Sequence, residues 1–203
     1  MANIIFIDNF DSFTYNLVDQ FRSLGHQVTI FRNTVETSTI IAALQQHQDS
    51  VLLLSPGPGA PSQAGNMPAI IQECKGKRPI IGICLGHQAI VEAYGGTVGG
   101  AGEIIHGKVS MMSHNHHPLF NGFADTFAIA RYHSLVATSM PSTLAEVAHA
   151  DGLVMAAVNE ADKVCGYQFH PESIMTTQGA QLLENTLHWA LQQNQYQPQG
   201  AEA

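Results

Sequence analysis

The amino-acid sequence predicts an α/β fold in which a doubly wound, mainly parallel sheet is continued by antiparallel strands. In the first half, short wholly apolar runs alternate with segments whose apolar residues recur at helical spacing. Such alternation builds a parallel sheet with helices on both faces. In the second half the helical spacing gives way to strand-type segments separated by short turns, which extends the same sheet in antiparallel fashion.

Each element has its own signal. Ile4 to Ile7 is an apolar run ending at Asp8, a buried strand. Leu17, Val18, Phe21 and Leu24 repeat at helical spacing until Gly25 stops the helix. Val28 to Phe31 is a second strand, and Ser38 is placed to cap a helix running through Leu44. Val51 to Leu54 is a third strand. Asn66 to Lys75 opens with a cap residue and an early Pro68, both signs of a helix start. Ile80 to Ile83 is a fourth strand, and His87 to Tyr94 a helix closed by Gly95-Gly96. Thr126 to Ala130, Leu144 to Ala148, Leu153 to Val158 and Val164 to Phe169 follow as strands, and a helix from Gly179 to Leu191 closes the fold. No repeat or linker divides the chain, so residues 1–203 read as one domain, with a Gln-rich tail over 193–203 expected to fray.

Composition removes several functions. The formal net charge is -8 and only eight Lys and Arg are spread along the chain, so nucleic acid is not an expected partner. No segment approaches the roughly 18 consecutive apolar residues of a membrane span. Met1-Ala2-Asn3 lacks the basic start of a signal peptide. Three cysteines, an odd number without framework spacing, fit a reducing compartment, so a cytoplasmic location is expected.

Ligands of parallel sheets bind beyond the carboxyl ends of the strands. Three loops occupy that edge: Asp8 to Thr14, Ser55 to Gln63, and Cys84 to Gln88. In Gly82-Ile83-Cys84-Leu85-Gly86-His87-Gln88 an apolar strand runs into a cysteine and a helix starts at once. That is the setting of a nucleophile on a tight turn, where the positive helix end favours thiolate. The plainer reading is a cysteine packed as a small hydrophobe. In Gly166-Tyr167-Gln168-Phe169-His170-Pro171-Glu172 a strand is expected to end at His170, with Glu172 spaced to orient the imidazole as a base. An incidental surface His and Glu is the alternative. Ser55-Pro56-Gly57-Pro58-Gly59-Ala60-Pro61 is a stiff loop that can supply one oxyanion donor, with the N–H of Leu85 supplying the other; alone it would be only a turn.

Together these three segments resemble the class I glutamine amidotransferases and their Cys-His-Glu triad. The elbow at Cys84, Gln168-Phe169-His170-Pro171-Glu172-Ser173 and Ser55-Pro56-Gly57-Pro58-Gly59 match the family's nucleophile, His-Pro-Glu and oxyanion motifs in order. Asp8-Asn9-Phe10-Asp11-Ser12-Phe13-Thr14-Tyr15-Asn16-Leu17 and Arg131-Tyr132-His133-Ser134-Leu135 resemble its chorismate-using branch. Within that branch, Val164 to Phe169 and Ile174 to Ala180 resemble the glutaminase subunits of anthranilate synthases. The glutaminase subunits of aminodeoxychorismate synthases share the first two segments and are the nearest rival.

The resemblance implies a flavodoxin-like fold and an enzyme of tryptophan biosynthesis that hydrolyses L-glutamine and passes ammonia to a partner. Catalysis falls to Cys84, His170 and Glu172. Glutamine falls to Gly57, Pro58, Gly59, the Gln88 side chain and the backbone of Ser134 and Leu135. No cofactor is expected on this chain; chorismate and Mg²⁺ belong to the partner synthase subunit. Two other classes stay open: a stand-alone γ-glutamyl hydrolase, and a non-catalytic binding or redox module with a reactive thiol. Ser113-His114-Asn115-His116-His117 is richer in histidine than the family's usual stretch, and is expected to be a solvated loop and no metal site. Cys74 and Cys165 fall inside a helix and a strand and read as core.

Overall fold

A computed structural model describes residues 1–102 and 107–192; the tail expected to fray lies outside the described residues. In the first half, strands β1 (Asn3–Asp8), β2 (Gln27–Arg32), β3 (Ser50–Leu54) and β4 (Ile80–Ile83) are joined by helices α1 (Thr14–Ser23), α2 (Thr37–Gln45) and α3 (Met67–Cys74). They stand in the order β2-β1-β3-β4, all parallel. β3 and β4 are buried at every position, which is why they read as unbroken apolar runs rather than alternating ones.

Helix α4 (Leu85–Ala93) follows β4 with only Cys84 between. The second half comprises β5 (Thr97–Gly100), β6 (Lys108–His114), β7 (Thr126–Arg131), β8 (Leu135–Ser139), β9 (Ala145–Ala150), β10 (Leu153–Asn159), β11 (Val164–Tyr167) and α5 (Gly179–Leu191). β11 lies parallel to β4, and the sheet continues through β10, β9, β6 and β7 in antiparallel fashion. β5 and β8 form a separate antiparallel ribbon.

The two faces carry separate cores. Leu17, Val18 and Phe21 of α1 and Leu182, Leu183 and Leu187 of α5 pack with Phe6, Leu53 and Ile83 on one face. Ile40 and Leu44 of α2, Ile70 and Ile71 of α3, and Ala89 and Ile90 of α4 pack with Ile7, Leu52 and Ile80 on the other.

The structure departs from the expected boundaries in informative places. The second helix begins at Thr37, with Glu36 and not Ser38 as its N-cap residue. Asn66 precedes α3 but its side chain does not cap it; the amide donates to the Val35 carbonyl instead, tying α3 to the β2–α2 connection. α4 starts at Leu85, two residues before the expected His87, so the nucleophile candidate is itself the N-cap residue. β11 ends at Tyr167, leaving His170 beyond the strand in a turn. Strands β5, β6 and β8 were not legible in the sequence pattern.

Candidate active site

Cys84 takes φ +51° and ψ -100°, a conformation that costs a non-glycine residue about 1–3 kcal/mol. The neighbouring strands hold it there: the Cys84 N–H donates to the Tyr167 carbonyl at 2.7 Å. Glycine on both sides permits the close passage. A Cβ on Gly82 would lie 2.5 Å from the backbone of Gly86, and one on Gly86 would lie 2.5 Å from the Leu54 carbonyl oxygen.

The turn after β11 brings His170 to the same edge. Its N–H donates to the Ala130 carbonyl at 3.0 Å, and its own carbonyl accepts from Thr176 Oγ1 at 2.6 Å. The ring lies against Phe13 and Tyr132, with centroids 5.0 and 5.2 Å away. Nδ1 meets Glu172 Oε1 at 2.6 Å, and both side chains are buried. Burial alone would push the imidazole towards neutrality. Hydrogen bonding and attraction from Cys84 and Glu172 outweigh it and raise the His170 pKa to about 10. Nε2 has no nitrogen or oxygen partner among the described residues, which leaves it to the Cys84 sulfur and to a substrate atom.

The glycine–proline loop is built into the same cleft. Asn9 donates its N–H to Ser55 Oγ and its side-chain amide to the Ser55 carbonyl, at 2.8 and 2.9 Å, and accepts from Asn33. Gly57 is wedged in place: a Cβ there would lie 2.5 Å from Asn9 Cβ and 2.8 Å from Leu85 Cδ2. Gly57 and Leu85 are therefore neighbours, whereas Pro58 and Gly59 face outward and exposed.

Gln88 reaches across to the β7–β8 connection, donating to the Leu135 carbonyl at 2.9 Å, while the Ser134 carbonyl accepts from Ala101 N–H at 2.9 Å. A carbonyl oxygen has a second lone pair, so the Ser134 carbonyl remains able to receive a substrate donor, whereas the Leu135 carbonyl is also approached by the His133 ring. Behind this connection lies fully buried Arg131, which donates to His133 Nε2 at 3.1 Å and to Asp151 Oδ2 at 2.6 Å. Burial, with the Arg131 charge next, lowers the His133 pKa to about 4. This ring is neutral, its proton on Nδ1.

The structure thus brings Cys84, Leu85, Gln88, Gly57, Ser134, Leu135, His170 and Glu172 to one edge. Sequence pattern alone does not single out the Asn9 network, the Phe13–Tyr132 clamp, Arg131 or Gln168. Each stands inside a segment already quoted, but only the fold shows what it touches.

The profile of the family described as Glutamine amidotransferase class-I matches residues 5–189. The chain is a class I glutamine amidotransferase. It is 67% identical to anthranilate synthase component 2 of Vibrio parahaemolyticus, over 96% of this chain and 99% of that protein. The proteins of that name from Haemophilus influenzae and Helicobacter pylori are 50% and 45% identical, covering 94% and 91% of this chain and 99% and 95% of theirs. Among solved structures, a putative GMP synthase subunit from Thermoplasma acidophilum superposes with a TM-score of 0.81 at 23% identity, covering 94% of both chains. A glutamine amidotransferase from Thermotoga maritima gives 0.72 at 14% identity, covering 95% of this chain and 99% of that one. These two likenesses concern the fold.

The amidotransferase keeps its other two cysteines out of solution. Burial pushes the Cys74 thiol up to about 11 and the Cys165 thiol up to about 12. Its histidine-rich stretch is not wholly a loop. His114 closes β6 and meets the Ala124 carbonyl, whereas His117 turns to Glu160 and accepts from Leu119 N–H. Among the described residues no three metal-type side chains converge. A cavity of about 310 Å³ lies between α3 and α4, lined by residues such as Pro61, Gln72 and Glu92. It touches none of the candidate catalytic groups, which gather at the strand-end cleft. No helix among the described residues is long and apolar enough to cross a membrane.

Proposed function

We propose that this chain is the glutaminase subunit of an anthranilate synthase. One observation carries the chemistry: a cysteine held at positive φ is coupled to an imidazole whose Nδ1 meets a buried carboxylate at 2.6 Å, Cys84 and Glu172 together raising the ring's pKa. A cation beside the sulfur is what a thiolate nucleophile needs, and the N-terminal end of α4 adds to it. The partner and product rest on the name shared by full-length relatives.

Cys84 attacks the side-chain amide carbon of L-glutamine, forming the C–S bond and moving the carbonyl electron pair to oxygen. The N–H groups of Gly57 and Leu85 hold that oxyanion. As the C–N bond breaks, His170 Nε2 gives its proton to the departing nitrogen, which leaves as ammonia. His170, now neutral, takes a proton from water, whose oxygen adds to the thioester carbon; the C–S bond breaks and glutamate leaves. Glu172 holds the ring throughout. Gln88 and the backbone of Gly57, Pro58, Gly59, Ser134 and Leu135 bind glutamine through neutral groups.

Ammonia passes to a synthase subunit that carries chorismate and Mg²⁺. The test is reconstitution with a chorismate-using synthase subunit from the same host. Glutamine-dependent anthranilate formation is expected; aminodeoxychorismate as the product would reassign the chain to the rival branch. Full-rate glutamine hydrolysis by the chain alone would favour a stand-alone hydrolase.

A further inference from the structure

Gln168 is fully buried, yet the acyl-transfer scheme above gives it no task. Its backbone N–H is spent on the Met155 carbonyl at 2.9 Å. Its side chain lies between two groups that belong to the site, Gln88 and Cys84.

The two ends of a side-chain amide differ only in what they can donate or accept. Here a main-chain group decides. The Leu135 carbonyl can only accept, so Gln88 must turn its NH₂ towards it, at 2.9 Å. The same Gln88 nitrogen is 3.3 Å from the Gln168 side chain. Were Gln168 reversed, two NH₂ groups would oppose each other, so its oxygen faces Gln88. Its nitrogen is then left facing the sulfur, 3.8 Å from Cys84 Sγ. A peptide carbonyl on β8 thus dictates, through two glutamines, that the thiol faces a donor.

We infer that Gln168 is a neutral hydrogen-bond donor that stabilises the Cys84 thiolate alongside the His170 cation. This rests on Cys84 being the nucleophile. An amide N–H suits the place because it exchanges no proton with the sulfur or with His170, so it adds to the thiolate without competing for the proton the leaving ammonia needs. The titratable groups on this side of the site are His170, coupled to Cys84 and Glu172; neutral His133, between His170 and the Arg131 cation; and His87 of α4, next to His133. Gln168 differs from all of these in having no proton to exchange.

The test is the pH dependence of iodoacetamide alkylation at Cys84, read by mass spectrometry on the intact chain, in wild type and in Gln168→Met, which keeps length and removes the donor. The alkylation midpoint is expected to rise by about one pH unit in the variant, roughly a tenfold slower reaction below the midpoint. Gln168→Glu, which adds a negative charge, should raise it at least as far. An unchanged midpoint in Gln168→Met, with Cys74 and Cys165 still protected, overturns the inference. If those two cysteines become labelled, the packing has failed, and the decision passes to wild type: the Gln168 side-chain amide resonance should move through the Cys84 titration and lose that response in Cys84→Ala. A resonance indifferent to the titration overturns the inference equally. The wild-type curve separates the two readings, because alkylation no faster at neutral pH than that of an ordinary cysteine would sink the nucleophile assignment itself.

Discussion

Gly57→Ala tests the oxyanion loop at the position where the structure has least room. An added Cβ would lie 2.5 Å from Asn9 Cβ and 2.8 Å from Leu85 Cδ2. Carbon atoms pack at about 3.5–4.0 Å, so the loop must retreat by about 1 Å. Asn9 cannot give way cheaply, since it holds Ser55 twice and Asn33 once. Such overpacking costs about 1–3 kcal/mol of stability, which a domain of ordinary stability survives. Catalysis suffers more. An oxyanion donor works only within about 2.7–3.1 Å of the oxygen, so a 1 Å retreat removes it, raising the barrier by about 2.7–4 kcal/mol and lowering kcat about 10²- to 10³-fold. The assay is glutamine hydrolysis by the reconstituted complex, with iodoacetamide labelling of Cys84 as a check that the nucleophile is intact. Labelling should be near normal while kcat collapses. Hydrolysis within tenfold of wild type, in a variant shown to fold, would refute the assignment of the Gly57 N–H.

Other expectations follow from the same geometry. Cys84→Ser should abolish glutamine-dependent synthesis while the partner's ammonia-dependent synthesis persists, measured as product formed from each nitrogen source. Glu172→Ala should lower kcat by about three to four orders of magnitude and leave a residue of turnover, because the carboxylate orients the base without transferring the proton. Cys84 and Glu172 raise the His170 pKa, so the folded state binds its proton more tightly; that stabilisation is full below pH 6.5 and lost as pH rises through about 10, and denaturant midpoints across that window should fall in wild type and less in Cys84→Ala and in Glu172→Gln. Buried His87 is the reverse case. Burial first, and His133 next, lower its pKa to about 4, so stability present above pH 6.5 is lost as pH falls towards 4, by about 3 kcal/mol, and His87→Leu should lessen that acid loss. Hydrolysis by the purified chain should be slow, should rise when the synthase partner is added and should rise again with chorismate; full-rate hydrolysis by the chain alone would end that expectation.

The centre of the parallel half was legible because burial on both faces leaves no polar residue in Ile80–Ile83 and only Ser50 in β3, so these two strands announce themselves as apolar runs. The elbow was legible for a related reason: two glycines around a cysteine at a strand end have few other uses. β6 was not. Its inward positions hold Ser110 and Met112 while Val109 and Met111 face out, which blurs the alternation a half-buried strand should show. β5, Thr97-Val98-Gly99-Gly100, has half its residues glycine. Arg131 reads as a surface charge, and its burial is explained by the fold's bringing Asp151, Ser110 and His133 beside it. Gln168 was hidden most deeply, since its orientation is settled by Leu135 and Gln88, residues far from it along the chain.

Cys84 and His170 follow β4 and β11, which lie side by side with Ile83 opposite Tyr167. Their anchors are therefore set about 4.8 Å apart by peptide hydrogen bonding between adjacent strands, and the three-residue step from Tyr167 to His170 is fixed by the Ala130 and Thr176 bonds. The connection between β6 and β7 makes none of the hydrogen bonds that hold His170, Gln88 or Gln168, so its outer residues can change without disturbing the pair. A lineage could remodel that stretch to suit a new acceptor enzyme and keep the same hydrolytic pair, and an engineer could graft a different docking surface there on the same terms.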